Sequence, residues 1–299
     1  MAKDVRGKRA SHPSRDLEGA VFPVEHEPLA HASSLENASH ARSRDIRVLV
    51  LRAAGINCDE EVMHCWRLAG AKPTLMHVNA VVDQPAMVEQ FQIVTMPGGF
   101  SYGDDIAAGV ILAQRMMHGL EEPLRNLIDR GGGILGICNG FQTLVRMGLL
   151  PGGESGRKQV TVTDNDSARF EARWIRLKVC TDRCVFLKAD TVLELPVEHA
   201  EGKVVAADET VTSMLLDEGY AAVRYVDADG RFDRYPANPN GSVAGIAGLC
   251  DITGRIFGLM PHPDRHFDHT HHPHWPRRTN QGPPDGLTVF QNAVRHWAS

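Results

Sequence analysis

Residues 131 to 147 read GGGILGICNGFQTLVRM, and that order of residue types leaves few folds open. A short apolar strand, Ile134 to Ile137, runs into Cys138, and a helix-forming run from Phe141 to Met147 follows at once. Gly136 and Gly140 stand two residues to either side of the cysteine. This is the thiol form of the nucleophile elbow, in which a sharp strand-to-helix turn holds a reactive side chain in the open. Glycine is needed beside such a turn because only a residue without Cβ lets the neighbouring backbone come so close. The helix that follows aims its N-terminal N–H groups at the sulfur and favours the thiolate. A cysteine that merely closes a strand is ordinarily a small buried side chain. The paired glycines and the strand-then-helix order favour a nucleophile instead.

An elbow belongs in an α/β sheet, and the preceding residues supply one. Ile46 to Leu51 is a near-continuous apolar strand of the kind a two-sided parallel sheet requires. Asn57 and Asp59 offer caps for a helix to Leu68, which Gly70 closes. Thr74 to Val78 and Gln92 to Met96 read as further strands, and helices are expected over Ile106 to Met117 and Pro123 to Arg130. This alternation predicts a doubly wound, mostly parallel sheet with flanking helices. Active sites of such sheets lie beyond the carboxyl ends of the strands, where Cys138 and the turn Pro97-Gly98-Gly99 both fall.

The second half has a different texture and predicts antiparallel additions. Arg169 to Val179 alternates apolar and polar residues. Asp229-Gly230 between Tyr225 and Phe232 signals a hairpin. Val243 to Leu249 and Arg255 to Met260 flank another turn, and Leu287 to Trp297 closes the chain as an amphipathic helix. Residues 1–44 carry no sustained periodicity and are read as a disordered extension, which leaves residues 45–299 as one domain.

Composition excludes several classes. A net charge of −5 argues against a nucleic-acid partner held by a basic field. No apolar run approaches the roughly 18 residues of a membrane span. Six cysteines scattered through 299 residues do not form a disulfide framework, so a reducing cytoplasm is the expected setting.

A cysteine nucleophile needs a base and a group to orient that base. His262-Pro263-Asp264, just after an apolar strand, supplies both; in an extended segment His262 and Asp264 share a side. The expected oxyanion donors are the N–H of Asn139, next after the nucleophile, and that of Gly99, with Gly98 beside it.

Together these residues resemble the class I glutamine amidotransferases. The segments Pro97-Gly-Gly-Phe-Ser-Tyr-Gly-Asp104, Gly136-Ile-Cys-Asn-Gly-Phe-Gln142, Asp164-Asn-Asp-Ser-Ala-Arg-Phe-Glu171, Asn240-Gly241-Ser242-Val243 and Met260-Pro-His-Pro-Asp264 resemble the glutaminase subunits of phosphoribosylformylglycinamidine synthase in particular. The resemblance spans about residues 46–298. It implies that Cys138 forms a γ-glutamyl thioester, that His262 acts as base and then acid, and that Asp264 orients it. It implies that Gln142, His199 and the Asn240-Gly241-Ser242 loop line the glutamine pocket. Ammonia then passes to a separate ATP-using synthetase, PurL, usually with the small PurS subunit, in purine synthesis. No cofactor or metal is implied in this chain; ATP and Mg serve the partner.

Two positions depart from the family pattern. Asp264 stands where glutamate is usual, one methylene shorter, and Ala200 replaces a glycine in His199-Ala-Glu-Gly202, where a left-handed backbone would be strained. The histidine-rich segment Asp268 to His274 reads as a solvated loop, not a metal site. Two other readings fit parts of the pattern: a free-standing cysteine hydrolase of similar fold, and a regulatory subunit whose triad Asp264 has weakened.

Overall fold

The computed structural model describes residues 45–152, 159–232, 234–278 and 282–299; the expected extension over residues 1–44 lies outside them. The first part alternates strand and helix: β1 (Arg47–Arg52), α1 (Asp59–Leu68), β2 (Lys72–His77), α2 (Val78–Asp83), β3 (Ile93–Met96), α3 (Val110–Asp129), β4 (Gly133–Ile137) and α4 (Asn139–Arg146). After it come β5 (Val160–Asp164), β6 (Glu171–Val179), β7 (Val192–His199), β8 (Glu201–Ala206), α5 (Glu209–Asp217), β9 (Ala221–Val226), β10 (Ile246–Cys250), β11 (Ile256–Leu259) and α6 (Asp285–Ala298).

The main sheet has the order β2-β1-β3-β4-β11-β10-β9-β6-β7, and β5 pairs with β8 in a separate ribbon. From β2 to β11 neighbouring strands are parallel; beyond β11 each pairing is antiparallel. β3 and β4 are buried throughout, as strands covered on both faces must be. Trp66 of α1 meets Phe290 of α6 edge to face at 5.0 Å, and its indole N–H donates to Thr95 Oγ1 at 3.0 Å, so the helix cover is keyed to β3. β1 has β2 on one side and β3 on the other. The chain therefore changes its direction of growth across the sheet at β1, which opens a crevice at the carboxyl ends of these strands.

Several local expectations are corrected. Helices over Ile106–Met117 and Pro123–Arg130 are one helix, α3, with Pro123 inside it. Its buried side, Leu112, Met116, Leu120, Leu124 and Leu127, continues past the proline. That packing outweighs the roughly 3 kcal/mol that an interior proline costs. The Asp229-Gly230 turn forms, with Asp227 N–H bonded to Arg231 C=O at 2.9 Å, yet among the described residues no returning strand follows it. Both edges of β9 are already taken, by β10 and β6. Neither Asn57 nor Asp59 caps α1: Cys58 holds the cap position without a side-chain bond, and Asp59 pairs with Arg52.

Candidate active site

The carboxyl ends of four main-sheet strands supply the site. β4 ends at Cys138. Its neighbour β11 runs parallel to it with Leu259 opposite Ile137, and Cys138 N–H donates to Leu259 C=O at 2.8 Å. Three residues after Leu259 comes His262. Cys138 has φ 50° and ψ −106°, a conformation that L residues avoid and that is typical of strain held at a functional site. Its two glycines are there for space: a Cβ on Gly140 would lie 2.0 Å from Met96 C=O oxygen, and one on Gly136 2.6 Å from Leu144 Cδ1. The α4 helix starts at Asn139, so the Asn139 N–H belongs to a first turn that has no intrahelical acceptors.

His262 is buried, with its backbone N–H fixed to Pro196 C=O of β7 at 2.8 Å. Asp264 is fully buried, and its two oxygens each lie 3.4 Å from His262 Nδ1. The pairing was expected from an extended segment. It arises instead from a tight 3-10 turn, Pro263–Arg265, which folds the aspartate back under the ring. The shorter carboxylate thus reaches the imidazole, at the long end of hydrogen-bond range. Burial pushes the His262 imidazole down, but the Asp264 carboxylate and then the Cys138 sulfur more than offset this and hold it well above an ordinary histidine. Its Nε2 makes no ordinary hydrogen bond among the described residues and has the sulfur as its neighbour.

The turn after β3 closes over this pair. A Cβ on Gly98 would lie 2.6 Å from His262 Cε1 and 3.4 Å from Cys138 Cβ. Gly99, at φ 142°, faces Ile56 in an isolated antiparallel bridge, and a Cβ there would come within 2.7 Å of Ile56 Cα. The flanking groups make the bridge's hydrogen bonds, Phe100 N–H to Gly55 C=O among them at 2.9 Å, which leaves the Gly99 N–H outside it.

The remaining expected residues meet around the end of β7 and the start of β8. The Cys138 thiol donates to Glu198 C=O at 3.8 Å, at the end of β7, and His199 follows. His199 is buried, and burial, then the nearby His262, push its imidazole down to about 3. Ala200 does not take up a left-handed conformation, so the strain expected of a non-glycine there does not arise. Gln142 uses both ends of its amide, donating to Glu201 C=O at 2.5 Å and accepting from Asn139 Nδ2 at 3.2 Å. Asn240 and Ser242 are buried and bonded to each other at 2.7 Å, and Asn240 Nδ2 donates to Gly202 C=O at 2.7 Å. Gly241, at φ 78°, abuts Asp166 too closely for a side chain.

Two neighbours were not singled out from sequence. Tyr225 of β9 is fully buried, accepts from Asn240 Nδ2 at 3.2 Å and has its phenol pushed up by burial and by Cys138. No sequence pattern marks it. Cys58 follows the glycine turn after β1, a carboxyl-end position that topology alone flags. It accepts from Arg265 Nη2 at 3.4 Å, while Arg265 Nη1 donates to Glu198 at 2.7 Å. Among the described residues Cys58, His262 and Asp264 form the one trio of metal-capable atoms, within 4.8 Å of one another. Two of them already bind each other, and the Arg265 guanidinium lies against the third. The histidine-rich loop is mostly exposed, but His266 and His272 are buried and pack edge-on against Trp174, with His272 Nε2 3.0 Å from Glu194.

Known proteins share this arrangement of sequence and fold. A family model described as a CobB/CobQ-like glutamine amidotransferase domain matches residues 45–297. The phosphoribosylformylglycinamidine synthase subunit PurQ of Dehalococcoides mccartyi is 43% identical over 255 residues, covering 85% of this chain and 98% of that protein. The PurQ subunit of Methanococcus maripaludis strain S2 is 36% identical over 265 residues, 84% of this chain and 97% of that one. A chain of the structure of PurLQS from Thermotoga maritima superposes with a TM-score of 0.63 at 28% identity, covering 85% of this chain and 99% of its own length. The chain belongs to the CobB/CobQ-like glutamine amidotransferase family, within its branch of phosphoribosylformylglycinamidine synthase PurQ subunits.

Proposed function

We propose that this chain is the glutamine-hydrolysing subunit of a phosphoribosylformylglycinamidine synthase and that Cys138, His262 and Asp264 are its catalytic triad. The observation that carries the reading is the meeting of a strained cysteine on β4 with a buried, carboxylate-backed histidine at the end of the adjacent strand β11. A buried imidazole backed by a carboxylate and set beside a sulfur is the arrangement that can take the thiol proton. The sulfur attacks the carboxamide carbon of glutamine. The oxygen that becomes negative is held by the Gly99 and Asn139 N–H groups, each donor of this kind contributing about 10²–10³ in rate. His262 then gives its proton to the departing nitrogen, and ammonia leaves a γ-glutamyl thioester on Cys138. Water, deprotonated by His262, cleaves the thioester to glutamate and restores the thiol.

The ammonia passes to a separate PurL synthetase, with PurS as a further subunit, which uses ATP and Mg to convert the formylglycinamide ribonucleotide to the amidine. This chain needs no cofactor for its own half-reaction, and the cytoplasm is its place of work. Glutamine itself is held by residues that include His199, Gln142 and the Asn240-Gly241-Ser242 loop. The test is glutamine-dependent amidine synthesis in the assembled complex. Cys138→Ala is expected to abolish it while leaving synthesis from added ammonium intact. Equal loss of both, in a complex of normal composition, would refute the division of labour.

A further inference from the structure

The peptide that joins Gly98 to Gly99 carries one of the two proposed oxyanion donors, the Gly99 N–H, and a glycine on each side leaves it free to rotate. Its orientation is held from α1. Cys58 N–H donates to Gly98 C=O at 3.3 Å, while Cys58 C=O accepts the first α1 bond, from Val62 N–H, at 3.1 Å. The peptide is trans, so its N–H points opposite to its C=O. With the carbonyl drawn to Cys58, the Gly99 N–H is turned away from α1. The reverse orientation would set two N–H groups against each other.

Cys58 is itself held through its sulfur. It is buried, donates to Asn57 Oδ1 at 3.3 Å and accepts from Arg265 Nη2 at 3.4 Å. The sulfur lies against the oxyanion turn, since a Cβ on Gly98 would be 3.3 Å from it. Arg265 belongs to the tight turn that carries Asp264, and its N–H is bonded to His262 C=O at 3.3 Å. Its Nη1 is fixed on the carboxylate of Glu198, whose own C=O accepts the Cys138 thiol. At Cys58, therefore, the turn bearing the triad's base and acid meets the turn bearing the oxyanion donor.

We propose that Cys58 is a positioning residue: anchored through its sulfur to Arg265, it holds the Gly98-Gly99 peptide with the N–H presented to the oxygen that becomes negative. The proposal rests on the glutaminase reading and adds to it the group that keeps the oxyanion donor aimed. In this role Cys58 transfers no proton and forms no bond to substrate. A donor aimed before substrate arrives stabilises the transition state without reorganisation. Its loss therefore falls on the chemical step and not on glutamine binding.

The experiment uses the complex assembled with the synthetase. Cys58→Ala removes the sulfur and is expected to lower kcat for glutamine hydrolysis by about tenfold to a hundredfold while KM stays at its wild-type value. Alkylation of Cys138 by iodoacetamide, a displacement that releases iodide and forms no oxyanion, is expected to keep its rate, read on the peptide that contains Cys138. Cys58→Ser, whose hydroxyl can still accept from Arg265, is expected to recover most of kcat. In an Arg265→Met background Cys58→Ala should cost much less than in the wild type, because the anchor is already gone. If Cys58→Ala does not assemble, Arg265→Met alone gives the same reading: lower kcat at unchanged KM and unchanged alkylation. A wild-type kcat in the assembled variant overturns the proposal. So does equal slowing of hydrolysis and alkylation, which would mark general damage to the elbow. A wild-type complex that hydrolyses no glutamine would instead overturn the glutaminase reading beneath it.

Discussion

The backbone of Cys138 stores strain that can be measured without reference to activity. At φ 50° and ψ −106° the residue occupies a region that glycine enters freely and an L residue does not. Holding a non-glycine residue there costs on the order of 1–3 kcal/mol. Cys138→Ala and Cys138→Gly both lose the sulfur and its contact with Glu198 C=O, so they differ mainly in this strain and in the freedom of the unfolded chain. Glycine's extra freedom when unfolded costs it about 0.4–1 kcal/mol relative to alanine. The strain is the larger quantity. Cys138→Gly is therefore expected to be more stable than Cys138→Ala by about 1 kcal/mol, the opposite of the order found in ordinary strands and helices. Urea unfolding of the two variants at equal m value reads the difference directly, and in thermal melts it amounts to about 2–4 °C for a domain of this size. If Cys138→Ala matched or exceeded Cys138→Gly, the elbow would be unstrained and the argument for a held-out nucleophile would lose its energetic basis.

Two further outcomes follow from the same site. Asp264→Asn keeps the shape of the group under His262 but removes the charge that chiefly counters its burial, so glutamine hydrolysis in the assembled complex is expected to fall by about 10²–10⁴ while ammonium-driven synthesis persists; turnover within a few-fold of wild type would remove Asp264 from the triad. His199, pushed down to about 3 in the fold from an ordinary 6.5, binds fewer protons folded than unfolded between those values. Its stabilising effect is thus complete above pH 6.5 and is lost as pH falls toward 3, at up to about 1.4 kcal/mol per pH unit; His199→Gln should flatten that slope in urea melts at pH 6.5 to 5, and an unaltered slope would show that the imidazole is not held neutral.

The parts of the fold that were readable from sequence share a physical cause. β1, β3 and β4 are covered on both faces, so they appear as apolar runs, and the turns at their carboxyl ends need glycine because backbones meet there. That combination exposed Cys138, Gly99 and the mostly parallel character of the sheet. β7 was not readable, because Pro196 interrupts it. The proline is tolerated since β7 is an edge strand, and its carbonyl is what holds His262 N–H. β5, β8, α2 and α5 lack any pattern strong enough to mark them. The site was legible where chemistry demands a residue type at fixed spacing, as in His262-Pro263-Asp264. It was not legible where a residue serves by burial alone: Tyr225 sits in an ordinary apolar strand. The single helix α3 was missed for a related reason, since its continuity comes from packing against the sheet that its own propensity does not foretell.

The pairing of β4 with β11 has an evolutionary consequence. Because the thiol and the imidazole are delivered by adjacent strands in fixed register, the long stretch of chain that joins them can lengthen, shrink or change its loops without altering their separation. Such a chain is free to remodel the surface it offers to other subunits while its reacting atoms stay put.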